Sequence, residues 1–175
     1  MPNNDVNMTP AEALDIAAER LSIVRYVFLV QIEEGIASAA QRSSLEYADA
    51  VLMGWPDSDA KDVTLPEGSA MTQVLDYMRR MERHIAKFSE LERAHDVDAM
   101  TEMLENITES VANIRSIYQP DFPLPTFSEI KRVVQDEWNE EMGNINPDSA
   151  NVASGVVNEI AVEDAEDKES ESDAS

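Results

Sequence analysis

The chain has 175 residues, 43% of them apolar, with 36 acidic side chains against 13 basic ones and a formal charge of -23. That length suits one core-bearing domain with tails, and repulsion on this scale favours solubility while arguing against broad contact with phosphate backbones or anionic lipid. Cysteine is absent, which excludes disulfides, thiolate metal sites and thiol nucleophiles.

The opening MPNNDVNM lacks the basic start and apolar stretch of a secretory signal. The most apolar run, residues 23–32, is about half the length that spans a bilayer and contains Arg25. These features predict a cytoplasmic or virion-associated protein, not secreted by a recognisable signal and with no membrane contact. The basic set holds nine arginines and four lysines, a lysine-poor acidic balance that a salt-rich habitat would also favour.

Residues 1–8 read as a flexible N-terminus. Thr9, Pro10 and Glu12 then form a helix start, with a capping hydroxyl, a proline suited to the first helical position, and a glutamate placed to bond back. Leu14, Ala18, Leu21, Phe28, Ile32 and Ile36 recur at helical spacing, and the alanines that follow favour continuation to Leu52. The pattern predicts a first helix of up to about 44 residues, about 66 Å long, with Gly35 as the place for a kink. Its centre, residues 26–30, is apolar on nearly every side, which predicts a helix enclosed by others. Glu33 and Glu34 end that stretch; adjacent helical positions point about 100° apart, so they form no catalytic dyad.

Residues 54–68 contain two prolines and two glycines in a polar setting and read as a loop. Trp55 is expected to fold back over the core. Ser69 is the expected cap of the next helix, whose seam is Val74, Met78, Met81, Ile85 and Phe88. A second seam runs Met100, Leu104, Ile107, Val111, Ile114 and Tyr118. An unbroken helix would turn the stripe by about 120° between Phe88 and Met100. A break at residues 94–99 with Asp96 or Asp98 as cap, making 69–118 an antiparallel hairpin, is the simpler solution.

Three prolines in residues 119–125 make an extended link. Thr126 and Glu129 repeat the capping-box spacing, and Ile130, Val133, Val134 and Trp138 give a short amphipathic helix over 126–142, a packing element or a dock for a partner. Residues 144–175 read as a disordered acidic tail. The fold class is thus all-α: an elongated helical bundle over 9–143 of three to four principal helices, comprising the long N-terminal helix, the hairpin and the short C-terminal helix.

For catalysis the sequence offers little. Five glycines without a strand-turn-helix pattern place no phosphate-binding loop. The two histidines, His84 and His95, stand among charged neighbours. Glu92 and His95 have a spacing that ligates paired metals in helical bundles, but a second such pair is missing. The expectation is therefore no enzyme, no catalytic residue, no metal and no cofactor.

The charge pattern carries one anomaly. Arg79, Arg80, Arg83, His84 and Lys87 form a basic ridge beside the first hairpin seam. Either it meets glutamates of a neighbouring helix, with its stems covering the core edge, or it docks an acidic partner or the chain's own tail, where residues 159–175 hold eight acids and one lysine. The leading functional expectation is a non-catalytic protein-protein interaction protein: an assembly factor, adaptor or structural subunit, including one of a viral particle. Its partner is another protein or a second copy, because a first helix longer than its neighbours leaves apolar surface uncovered. Direct contact with nucleic acid is not expected. The alternatives are an acidic nucleic-acid mimic that occupies a DNA-binding protein, and a helical-bundle metal protein.

Overall fold

The structure is a computed structural model that describes residues 8–32 and 37–145. Among the described residues all regular structure is helical: α1 (Pro10–Gln31), α2 (Ala39–Leu52), α3 (Gly68–Ala94), α4 (Val97–Tyr118) and α5 (Phe127–Ile145). The chain divides into two compact units, Met1–Lys131 and Arg132–Ser175. The first holds α1 to α4 and the opening turn of α5; the rest of α5 belongs to the second. Expectations for residues 1–7, for Glu33, Glu34, Gly35 and Ile36, and for the tail beyond Ile145 fall outside the described residues.

Chain directions in the first unit follow from a few cross-links. Arg25 meets Asp49 and the Trp55 indole reaches the Leu14 carbonyl, so α1 and α2 run antiparallel. Ser44 bonds the Thr101 carbonyl while Arg115 bonds that of Val51, so α2 and α4 run parallel. The tight link at His95 and Asp96 sets α3 against α4. The result is an up-down-up-down bundle, with α4 packed on α1, α2 and α3.

Local chemistry explains most of the boundaries. At the start of α1, Thr9 Oγ1 accepts from the Glu12 amide at 3.0 Å and Glu12 returns a bond to the Thr9 amide at 2.9 Å. Thr126 and Glu129 repeat that exchange before α5, at 2.9 and 3.1 Å. The hairpin turn is a Schellman motif: His95, with φ 58°, donates to the Glu92 carbonyl, and the Asp96 amide reaches back to Leu91. Asp96 then caps α4 by accepting from the Ala99 amide at 3.2 Å. The expected break between the two seams is therefore present, with Asp96 as its cap.

Both hairpin seams face the core. Met100, Leu104, Ile107, Val111, Ile114 and Tyr118 are fully buried, and so are Val74, Met78, Met81 and Phe88, with Ile85 half-buried between them. From α1 the core takes Ala13, Leu14, Ala17, Leu21, Val24 and Phe28; from α2 it takes Tyr47, Ala48 and Val51. Phe127 closes it, its ring 5.5 Å from that of Tyr47. The opening turn of α5 is thus a packing element.

Three expectations need correction. The first helix does not run to Leu52: α1 ends at Gln31, and α2 begins behind Ser38, whose hydroxyl accepts from the Gln41 amide at 3.1 Å while the Gln41 side chain bonds the Ser38 amide at 3.0 Å. A second capping box overrides the alanine-rich continuation. Ser69 does not cap α3, which starts two residues earlier than such a cap would place it, at Gly68 after Glu67, and has no side-chain cap. The centre of α1 is not enclosed, because α2, α3 and α4 all lie against the arc carrying its six buried residues.

Candidate functional site

Two places concentrate unusual chemistry: a buried arginine at one end of the bundle, and the outer face of α1. Arg115 sits on α4 one residue past the seam position Ile114 and is fully buried. Its Nη1 donates to the carbonyls of Val51 at 2.9 Å and Met53 at 2.7 Å, its Nη2 to Gly54 at 2.9 Å, and its Nε to Gln119 Oε1 at 2.9 Å. Gln119 passes the link on, donating through Nε2 to Asp62 at 2.6 Å. The guanidinium lies 3.9 Å from the centre of the Phe122 ring and 5.5 Å from that of Trp55.

These acceptors are the carbonyls that the end of α2 leaves without helical partners, at the negative end of its dipole. Gly54, with φ 59°, lets the chain turn so that they converge. Burial lowers the Arg115 pKa from its ordinary value, with Asp62 opposing the shift. Beside this knot, the Trp55 indole donates to the Leu14 carbonyl at 3.2 Å, the Thr64 amide to the Tyr118 carbonyl at 2.9 Å, and the Tyr118 hydroxyl to the Pro10 carbonyl at 2.5 Å. Trp55 folds back over the core as its sequence setting suggests. With three of its four bonds directed at main chain and its guanidinium against rings, Arg115 is a clasp for the fold.

The basic ridge is a row on α3 whose contacts include close neighbours on the same helix. Arg79 pairs with Asp76 at 2.7 Å, Lys87 with Glu90 at 3.5 Å, and Arg80 stacks 5.4 Å from the Tyr77 ring centre. Arg80, Arg83 and Lys87 are exposed; Arg79 and His84 are half-buried. His84 Nδ1 is enclosed without a hydrogen-bond partner, and burial, then Arg83 and Arg80, lower the His84 pKa. An ion pair reaches α3 from α1, Arg20 to Glu82 at 2.8 Å, and it takes its cation from α1. Glu92 is half-buried and His95 is the exposed turn residue of the hairpin. Among the described residues no three His, Asp or Glu side chains gather as metal ligands would, and no helix is long and apolar enough to cross a membrane.

The outer face of α1 is where sequence and structure diverge most. Ile23 is 52% exposed, Tyr26 65%, Leu29 39% and Val30 41%. Ile23, Tyr26 and Val30 follow one another at helical steps along the side turned away from α2, α3 and α4. Within residues 22–31 the one charged side chain is Arg25, which is held by Asp49 at 2.5 Å and 3.2 Å. Earlier on the same face stand the exposed acids Glu12, Asp15 and Glu19. The signal was available in the sequence as apolarity on all sides of the helix, which suits an enclosed helix and a helix with a second contact face equally.

No family model matches the chain, and neither a curated protein nor a solved structure matches it.

Proposed function

We propose that this protein is a non-catalytic helical interaction protein, an assembly factor, adaptor or structural subunit, that meets its partner through the outer face of α1. The observation that carries this reading is the uncharged stripe of Ile23, Tyr26, Leu29 and Val30, exposed on a helix whose opposite side is fully committed to the core. Contiguous exposed apolar residues on the order of a few hundred Å² are characteristic of contact surfaces. A tyrosine in the middle adds a rigid, amphipathic anchor of the kind that dominates binding energy at interfaces.

The test places a photo-crosslinking amino acid at position 26 in the full chain, expressed in its native host, with the same probe at position 83 as a control. The expected result is a discrete adduct from position 26 that disappears when Ile23→Asp is added, with none from position 83. Equal labelling from both positions, or none from either, would refute this assignment of the face.

A further inference from the structure

We infer that the Arg115 end of the bundle is a second contact surface, separate from the α1 face, which receives a cationic segment of another protein carrying bulky apolar side chains. Met53 is 70% exposed there, Leu65 44% and Phe122 38%. They come from three stretches of chain and are gathered by the knot. Arg115 bonds the Met53 carbonyl at 2.7 Å and lies 3.9 Å from the centre of the Phe122 ring. The Thr64 amide, one residue before Leu65, bonds the Tyr118 carbonyl at 2.9 Å.

Apolar side chains on loops ordinarily lose freedom when a partner orders them, which subtracts from affinity. Here the fold has already ordered them. Three carbonyls of residues 51–54 are held by one guanidinium, the Phe122 ring lies against it, and Pro56 and Pro66 are buried. Methionine adapts to varied partner surfaces, and an aromatic ring supplies a rigid anchor.

Charge selects the occupant. The two loops carry Asp57, Asp59, Asp62, Glu67 and Asp121 against Lys61, all exposed. Among the described residues none of these five carboxylates is in an ion pair. Whatever covers the apolar patch takes them partly out of water, and left unmatched they oppose it. A nucleic acid, an anionic lipid surface or an acidic protein would add repulsion. A second copy brings the same carboxylates, and its cation row on α3 is already matched at Arg79 and Lys87 by Asp76 and Glu90. Residues 1–7, 33–36 and 146–175 of this chain carry no net positive charge. Lysine or arginine around an aliphatic or aromatic anchor is the chemistry that answers both the patch and its rim.

The indole of Trp55, in the knot, bonds Leu14, which is twelve residues and about 18 Å along α1 from Tyr26. Two separate surfaces on one bundle favour the adaptor among the roles proposed above.

The test uses the full chain, isotopically labelled, and three synthetic peptides of about 15 residues. The first is a helical amphipath of lysine with leucine and tryptophan, the second has glutamate for every lysine, and the third has serine for every apolar residue. The first peptide should shift the amides of residues 53–55, 64–65 and 121–122 most, saturably, and bind at least about tenfold more tightly than either control. Met53→Ser combined with Leu65→Ser, whose side chains make none of the Arg115 bonds, should weaken it at least about tenfold with the helical circular dichroism unchanged. Asp57→Asn, Asp59→Asn and Asp121→Asn together should flatten its salt dependence.

The inference is overturned if no saturable binding occurs, or if the largest shifts lie in residues 159–175 or 23–30. Equal binding by the serine peptide, which reports attraction to net charge alone, overturns it too, as does equal binding by the glutamate peptide. So does an unchanged affinity in the Met53→Ser, Leu65→Ser chain. Crosslinking from position 26 reads the α1 face alone, so either surface can fail without the other.

Discussion

Helices α1 and α4 have the same length, 22 residues, yet α1 buries six of them and α4 eleven. In α4 the buried set includes Thr101, Thr108, Ser110 and Arg115 beside the apolar seam, because the helix is flanked by α1, α2 and α3. Its polar side chains find main-chain acceptors: Thr101 bonds the Val97 carbonyl and Thr108 that of Leu104, each at 2.8 Å. By contrast α1 has neighbours on one side and leaves Ile23, Tyr26, Leu29 and Val30 in water. The more apolar surface is thus the less buried one. Burial of a helix follows how many neighbours surround it, and apolar residues left over after packing mark what still has to be covered.

If α4 is the organising helix, changes there should cost most. Arg115→Ala leaves the carbonyls of Val51, Met53 and Gly54 without their charged donor, and should lower unfolding free energy by about 3–5 kcal/mol in urea titrations. Arg115→Lys should recover little of the loss, since an ammonium cannot reproduce the guanidinium fork or its ring stacking. Leu104→Ala opens a cavity in a fully buried seam and should cost about 2–5 kcal/mol in the same measurement.

Next comes alkaline sensitivity. Burial, followed by Glu109 and Glu105, pushes the Tyr47 phenol up to about 12, and burial with Asp15 raises that of Tyr118 as well. Phenols of the unfolded chain ionise near pH 10. The unfolded state therefore releases these protons first, and stability should fall as pH rises from about 10 to about 12. Urea midpoints across that range check it, and Tyr47→Phe should flatten the slope.

Smaller effects belong to the helix ends and to the outer face of α1. Ser38→Ala removes one half of the second capping box and should cost about 1 kcal/mol. Tyr26→Ser should change the unfolding free energy of the purified chain by less than about 0.5 kcal/mol in the same urea titrations. A loss comparable to that of Leu104→Ala would mean that Tyr26 supports the fold, and would erase the contrast between the two helices.

The hairpin was legible because its seams keep a strict spacing and its turn offers a start residue, Asp96 or Asp98, of which the structure uses Asp96; the left-handed turn at His95 was not legible. The boundary between α1 and α2 was also written, as Ser38 and Gln41 at capping-box spacing, but the surrounding alanines have high helix propensity and Gly35 reads as a mere kink. Arg115 could not be found. Its main-chain partners lie 61 to 64 residues away and are carbonyls, which look the same behind every side chain. The basic ridge was legible as a row, but not its bonding: the charge pattern does not tell whether Arg79 and Lys87 prefer acids on their own helix or on a neighbour. The enclosed centre expected for α1 failed because periodicity reports which residues are apolar and not how many helices surround them.

Since Arg115 grips main chain and no side chain of α2, the end of that helix is held by its shape. Exposed Met53 could be exchanged for nearly any L-residue without loosening the grip. Gly54, whose positive φ turns its carbonyl towards the guanidinium, could not.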